Sequence, residues 1–306
     1  MRQRFFSCGH EDGGSNRVVG FVVGLCISVL AWAGVCFAAE PVPLSIVFTG
    51  NTLGWYEACP TCGGRGGIGG LGRRATVFAD VRAQQGEAVL FLGGAYEFMH
   101  FRKDAKGGQD LANALVTAYG MLDYDALTIA PAEARWLADA GVDMREDWTT
   151  LGDAPRTAVI ERAGVRVGVV MFPAPADIVA GPDAARKEQA VRAARELRPS
   201  VDILVGMSPW GEKAEAAFLR EYDGAVDLLF GTGPGMGDGF RMSPGGGTLW
   251  LRSVFDGRGV MRVDVLRRPT AGEGNFALVE DFRVTSIALD GTVKYDIRVA
   301  NLFSWL

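Results

Sequence analysis

Histidine is almost absent from this chain of 306 residues, which contains only His10 and His100. Sites that need several imidazole ligands are therefore excluded by composition alone. His100 is flanked by Met99 and Phe101, so we expect a packed or surface side chain and no ligand. Basic residues are in the minority, since 31 Lys and Arg against 36 Asp and Glu give a net charge of −5. We expect no nucleic-acid partner, which would require a concentrated basic face.

Cysteine is also scarce, with five residues, of which three lie before residue 40. The other two, Cys59 and Cys62, form a C-x-x-C motif, and Gly63 takes the place of the His that haem attachment requires. In an oxidising compartment the pair forms either a disulfide that closes a Gly-rich loop or a reactive dithiol. A metal site built on the pair would need two further ligands, which a chain so poor in His does not readily supply.

Charged residues are missing from the stretch between Val18 and Ala39, which follows a short basic segment. A basic start, an apolar stretch and small residues just before Ala39 are typical of a signal peptide. We therefore expect residues 1–38 to be removed and residues 39–306 to be exported to the periplasm. The apolar stretch is also close to the ~20 residues that span a bilayer, so an uncleaved inner-membrane anchor is the alternative.

Glycine, in contrast, is abundant, and its 42 residues are about twice the average share of ~7%. Between residues 44 and 240 short apolar runs alternate with amphipathic segments, in one of which Leu71, Ala75, Phe78 and Val81 form a helical stripe. This alternation predicts an α/β fold. No linker interrupts it, so we expect one domain after the signal peptide.

The hydrophobic period changes near the carboxyl terminus. From residue 248 apolar residues recur at every second position, and Asp256-Gly257 and Asp290-Gly291 are turn signals. The pattern predicts β-hairpins over residues 248–306.

The apolar runs end in a series of short motifs. In chain order they are Asn51-Thr52-Leu53-Gly54, Gly94-Ala95, Ala130-Pro131-Ala132-Glu133, Ser208-Pro209-Trp210-Gly211 and Gly231-Thr232-Gly233-Pro234. Their order resembles that of the calcineurin-like metallophosphoesterases, in particular the amino-terminal domain of periplasmic 5′-nucleotidases, over residues 42–268. The family has Asp-x-His-Gly, Gly-Asp, Gly-Asn-His-Glu, Ser-His-x-Gly and Gly-His-x-His at these places. The resemblance implies a four-layer α-β-β-α sandwich of two mixed sheets, with the carboxyl-terminal hairpins extending the second sheet.

The metal-ligand positions of that family carry other side chains here. These degenerate pocket positions are Asn51, Leu53, Ala95, Pro131, Ala132, Pro209, Thr232 and Pro234, and all except Asn51 offer no ordinary ligand atom. Glu133 matches the Glu of the family's third motif, and we expect it to complement the dipole of a helix. We therefore expect the fold of that family, but neither its two-metal centre nor another cofactor.

A more local resemblance concerns Cys59-Pro60-Thr61-Cys62 followed by GGLGRRAT at 69–76. These strings resemble the loop and helix start of bacterial UshA-like (seleno)proteins. Three nearby cations, Arg65, Arg73 and Arg74, are candidates for an anion site, although Arg at a helix start is usually structural.

We accordingly predict an exported, non-hydrolytic binding or partner module whose partner is an envelope protein or a small ligand. One alternative is a thiol redox protein that uses Cys59 and Cys62. A second alternative is a 5′-nucleotidase or other phosphoesterase that still hydrolyses its substrate with unrecognised ligands.

Overall fold

The computed structural model describes five stretches of the chain, namely 43–62, 66–99, 108–237, 239–267 and 278–306. They fall within the folded unit Val42–Leu306. The predicted signal peptide, Arg65 and His100 lie outside the described residues. Within those residues no helix has both the length and the apolar character that a membrane span requires.

Short strands and helices alternate along most of the chain. The strands are β1 (Leu44–Thr49), β2 (Ala58–Cys59), β3 (Ile68–Gly69), β4 (Val89–Gly93), β5 (Ala126–Ile129), β6 (Thr149–Thr150), β7 (Arg156–Arg162), β8 (Val165–Met171), β9 (Ile203–Ser208), β10 (Leu228–Gly231), β11 (Phe240–Met242), β12 (Leu249–Arg252), β13 (Gly259–Val265) and β14 (Phe282–Ala288). The helices are α1 (Leu71–Gln85), α2 (Gln109–Leu122), α3 (Pro131–Asp139), α4 (Ala184–Leu197), α5 (Glu212–Glu221), α6 (Leu278–Asp281) and α7 (Ile297–Ala300), with 3-10 turns at Arg198–Ser200, Phe255–Gly257 and Asn301–Phe303.

Two mixed sheets, each six-stranded in the described part of the chain, form the centre of the fold. Their strand orders are β14-β13-β1-β4-β5-β6 and β11-β12-β10-β9-β8-β7, while β2 and β3 form a separate ribbon. Strands β1, β4, β5 and β6 are mutually parallel, and so are β8, β9, β10 and β12. Because the carboxyl ends of parallel strands share one sheet edge, the loops after β1, β4, β5, β9 and β10 are brought to the corresponding edges of the two sheets.

The sheets pack face to face through alternate residues of their strands. In β1, Ile46 and Phe48 belong to the core between the sheets, whereas Val47 belongs to the core beneath α1 and α2. This division follows from the two-residue period of a strand. The Phe48 ring stacks on Phe230 of β10 with a centroid distance of 4.6 Å. Helices α4 and α5 cover the other face of the second sheet, so the predicted four-layer α-β-β-α sandwich is confirmed.

Helix α1 follows the predicted apolar stripe. Its residues Leu71, Ala75, Phe78 and Val81 are all buried. The helix ends at Gly86, whose φ of 58° is a left-handed conformation that favours glycine and whose N–H donates to the carbonyl of Arg82.

The carboxyl-terminal segment differs from its prediction in two respects. Strand β12 lies parallel to β10 in the second sheet, and the chain then crosses through Phe255–Gly257 to β13 in the first sheet. The hairpin that forms, β13–β14, therefore extends the first sheet and not the second. The segment after the Asp290-Gly291 turn, where the hairpin pattern predicts a strand, contains the short helix α7, whose start is capped by the Asp296 side chain accepting a hydrogen bond from the Arg298 N–H at 2.9 Å.

Phe48→Ala tests the packing of the two sheets. We expect a loss of about 3–5 kcal/mol in the free energy of unfolding, because a fully buried ring stacked on Phe230 is deleted. Urea denaturation measures the loss. Val159→Ala, at a strand position that is 51% exposed, serves as the control and should change the stability by no more than about 0.5 kcal/mol. Equal effects of the two changes would contradict the described core.

Candidate functional site

The loop after β1 is joined to the loop after β10 by the buried side chain of Asn51. Its Nδ2 donates to the Gly233 carbonyl at 3.2 Å, and its Oδ1 accepts from the Gly233 N–H at 2.8 Å. Asn51 is completely buried. Both polar functions of the amide are therefore used within the protein, at the place where sequence reasoning put the first degenerate pocket position.

Thr232 fills the space next to this contact. A Cβ atom placed on Gly50 or on Gly94 would collide with the Thr232 Cγ2 methyl group. The Thr232 hydroxyl donates to the Ser208 carbonyl at 3.0 Å. The loops after β1, β4 and β10 therefore contact one another through the Thr232 methyl group and two glycines.

The other predicted pocket positions contribute main-chain contacts or apolar surface. Leu53 is half-buried against the core between the sheets, and Ala95, which belongs to that core, accepts a hydrogen bond from the Asn51 N–H at 3.2 Å. The Pro209 carbonyl accepts from the Tyr96 hydroxyl at 3.2 Å, and the Pro234 carbonyl accepts from the Glu212 N–H at 2.8 Å. Two further positions, Pro131 and Ala132, are exposed in the first turn of α3.

Glu133 does more than complement a helix dipole. Its carboxylate accepts three main-chain hydrogen bonds of 2.8–2.9 Å, from Ala130 at the start of α3 and from Tyr96 and Phe98 in the loop after β4. Burial raises the pKa of Glu133 to about 7, against the lowering effect of those three donors. Glu133 thus fixes the loop 96–98 on α3, and its lone pairs are directed at the backbone.

The loops that carry the motifs hold an unusual backbone. Asn51, Leu53 and Tyr96 have φ values of 53°, 58° and 67°, a left-handed conformation that is costly for residues other than Gly. Such conformations persist where surrounding contacts determine them. Here the N–H groups of Asn51 and Leu53 bond to the carbonyls of Ala95 and Tyr96 at 3.2 and 2.9 Å, which holds the two loops together.

A buried polar cluster beneath these loops was not predicted. Arg74 contacts Glu97 at 3.2 Å, and both side chains are almost completely buried. The cluster consists of Thr49, Thr52, Arg74, Glu97, Tyr119 and Tyr124. Burial alone would lower the pKa of Arg74, but Glu97, Tyr119 and Tyr124 together outweigh burial and raise that pKa well above its ordinary value. The cluster is a charge-paired network inside the protein.

Arg73 is equally committed to internal contacts. Its guanidinium donates to the carbonyls of Gly66, Gly67 and Leu289 at 2.7, 3.1 and 3.0 Å, and it lies over the Tyr295 ring at 4.6 Å. The anion site predicted for Arg73 and Arg74 is therefore not supported. Both side chains lie inside the protein, and their terminal guanidinium nitrogens donate to carbonyls, a carboxylate and hydroxyl groups, which sequence spacing could not reveal.

A second buried ion pair lies under the loop after β10. Arg252 contacts Glu215 at 2.5 Å and donates to the Gly233 carbonyl at 2.8 Å. Trp250 Nε1 also donates to Glu215, at 3.0 Å. A Cβ atom on Gly231 would collide with the Glu215 carboxylate, so this strand end requires glycine. Burial raises the pKa of Glu215, although Arg252 acts in the opposite direction.

The C-x-x-C motif lies on the β2–β3 ribbon. Cys59 and Cys62 are joined by a disulfide with a Cα–Cα distance of 5.4 Å, and both residues are half-buried. The ribbon pairs Cys59 with Ile68 and Ala58 with Gly69. Among the described residues, neither cysteine makes a hydrogen bond or a strand pairing that reaches the Asn51–Gly233 contact.

Comparison with solved structures defines the fold. The 5′-nucleotidase precursor of Thermus thermophilus superposes with a TM-score of 0.60 and 18% identity, over 85% of this chain and 57% of that chain. The calcineurin-like phosphoesterase YfkN of Bacillus subtilis superposes with a TM-score of 0.55 and 15% identity, over 86% of this chain and 96% of that chain. The chain has the metallophosphoesterase fold. The sulfate thiohydrolase SoxB of Thermus thermophilus is also similar, with a TM-score of 0.60, 15% identity and coverage of 86% and 60%.

These likenesses concern the fold alone. The chain spans less than two thirds of the length of the Thermus 5′-nucleotidase precursor and of SoxB. No family model and no curated protein matches the sequence.

The residues at the motif positions do not fit the two-metal centre that the metallophosphoesterase fold implies. Within the described stretches no group of three or more His, Cys, Asp and Glu side chains could hold a metal ion. The buried carboxylates nearest to the motifs, Glu97, Glu133 and Glu215, are bonded to Arg side chains or to backbone N–H groups. The side chains of Asn51 and Thr232 are already bonded to groups of the protein at two of these positions.

The pKa of Glu133 predicts a pH-dependent stability. Because folding raises this pKa from 4.5 to about 7, the group stabilises the fold below pH 4.5, and the contribution is lost as the pH rises through 7. We expect Glu133 to make the protein about 2 kcal/mol more stable at pH 5 than at pH 8. Urea denaturation at the two pH values measures this difference.

Glu133→Gln removes the titration and should reduce that pH dependence, while the exposed Glu146→Gln should keep it. The account of Glu133 is contradicted if the pH dependence is the same in both variants.

Proposed function

We propose that this protein is a non-hydrolytic binding or partner module built on the metallophosphoesterase fold. The observation that carries the proposal is the occupied centre of the site, where Asn51 bonds to Gly233 and the Thr232 methyl group lies against Gly50 and Gly94. Two-metal hydrolysis requires ions ~3.5–4 Å apart that activate a water and neutralise the leaving oxygen. The side chains at these positions supply neither the ligands nor the room for that chemistry.

A cleft beside the occupied centre supports binding of a small ligand. It has a volume of about 450 Å³ and is bounded by the loop 178–182, the start of α5 and the loop after β10. Ile178 and Val179 give it apolar surface, and Lys213 and Glu212 give it charge. Its volume is within the range of about 300–1,000 Å³ that small-molecule sites have. A ligand could bind in this cleft without contacting a metal ion at the degenerate pocket positions.

Export to the periplasm is part of the proposal. It is supported by the uncharged stretch from Val18 to Ala39 after a basic start and by the disulfide between Cys59 and Cys62. Disulfides persist in oxidising compartments such as the periplasm.

Metal analysis and a hydrolysis screen test the loss of catalysis. The purified protein should contain no stoichiometric divalent metal and should not hydrolyse nucleotides or phosphodiesters above background. Leu53→His should gain nothing, because one new imidazole cannot hold two ions. The calcineurin-like phosphoesterase YfkN is the positive control. Two transition-metal ions per chain, or metal-dependent hydrolysis above background, would refute the proposal.

Amino-terminal sequencing of the protein from fractionated cells tests export. The mature chain should begin near Ala39 and be recovered with the soluble envelope proteins. Recovery of the intact amino terminus from the membrane fraction would show instead that the Val18–Ala39 stretch is an anchor.

A further inference from the structure

The disulfide between Cys59 and Cys62 lies at the surface, on the β2–β3 ribbon outside both sheets. Both cysteines are half-buried, and the intervening Pro60 and Thr61 are exposed. A thiol in solution can therefore approach the sulfur atoms without any movement of the two sheets. This is the geometry of a disulfide that can exchange, since access to sulfur is one of the determinants of the exchange rate.

The ribbon does not depend on this disulfide for its position. Main-chain pairing joins Cys59 to Ile68, and the Gly69 N–H donates to the Leu289 carbonyl at 2.8 Å. Arg73 holds the far side of the loop through the carbonyls of Gly66 and Gly67. A disulfide that closes a ring of four residues also restricts the unfolded chain only slightly. The disulfide therefore adds little to the stability of the ribbon.

The backbone keeps the two cysteines together whether or not they are bonded. The Cys62 N–H donates to the Cys59 carbonyl at 3.3 Å, which defines a turn, and their Cα atoms are 5.4 Å apart. This separation is within the range that a disulfide requires. After reduction the thiols therefore stay adjacent, and reoxidation needs no search through chain conformations.

Thr61 makes the two sulfur atoms chemically different. Its hydroxyl lies 3.6 Å from Cys59 Sγ, within reach of a weak hydrogen bond to sulfur, and Cys62 Sγ has no such contact with the described residues. A hydroxyl that donates to a thiolate stabilises the negative charge. Cys59 is therefore the better leaving group, and the attack is directed at Cys62.

We propose that the Cys59–Cys62 disulfide is a thiol–disulfide exchange site that accepts two electrons from thiols. A thiolate attacks Cys62 Sγ and forms a mixed disulfide, and the electron pair of the broken S–S bond passes to Cys59 Sγ beside Thr61. A second thiolate attacks the sulfur of the bound thiol and releases Cys62. Two thiols become one disulfide, and their two protons end on Cys59 and Cys62. This site is separate from the proposed non-hydrolytic centre, and neither proposal depends on the other.

Titration of the purified wild-type protein with glutathione buffers tests the exchange directly. In the chain 39–306, which contains only Cys59 and Cys62, two thiols should appear together in an excess of reduced glutathione and disappear when oxidised glutathione is added, while the circular dichroism spectrum is unchanged. A structural disulfide resists the glutathione pool. A pair that stays oxidised throughout the titration, or a fold that is lost on reduction, would overturn the proposal.

The role of Thr61 is tested in a Cys62→Ser background, where Cys59 is the single thiol of the ribbon. Adding Thr61→Val should slow alkylation of Cys59 at neutral pH by about fivefold, because the thiolate loses its hydrogen-bond donor. Thr157→Val, at an exposed position on β7, is the matched control and should have no effect. An alkylation rate that Thr61→Val leaves unchanged would contradict the assignment of Cys59 as the leaving group.

Discussion

The two sheets are joined at their carboxyl edges by the buried amide of Asn51, which both donates to and accepts from Gly233. An ionised Asp could only accept, and without a metal ion its charge would be buried against a carbonyl. A neutral amide satisfies both polar groups of Gly233 at once. The same contact lies at the first degenerate motif position, so one side chain both stabilises this edge and supports the proposed loss of metal chemistry.

Each of three buried carboxylates near this edge is paired with an Arg side chain or with backbone N–H groups. Glu97 is paired with Arg74, Glu215 with Arg252, and Glu133 with three backbone N–H groups. A buried carboxylate without such partners would be strongly destabilising. These pairings direct the three carboxylates at groups of the protein itself. The left-handed backbone of the same loops is held by hydrogen bonds between them.

The alternation of apolar runs and amphipathic segments predicted the α/β class, and the resemblance to the metallophosphoesterases implied the four layers. The stripe in α1 and the apolar runs of the parallel strands carry periodicities that local side chains determine. The contents of the site depend on long-range packing, so spacing did not show that Thr232 would contact Gly50 and Gly94. For the same reason Arg74 looked available to an anion although it lies in the core. Two-residue periodicity likewise identified β13 and β14 but could not assign them to the first sheet.

Anomalous diffraction from crystals soaked in Mn²⁺ tests the central claim most directly, because it locates ions without reference to activity. The account predicts no anomalous peak between Asn51, Gly94 and Thr232, and an Asn51–Gly233 contact that survives the soak. Two peaks ~3.5–4 Å apart at that position, with Asn51 turned away from Gly233, would contradict it.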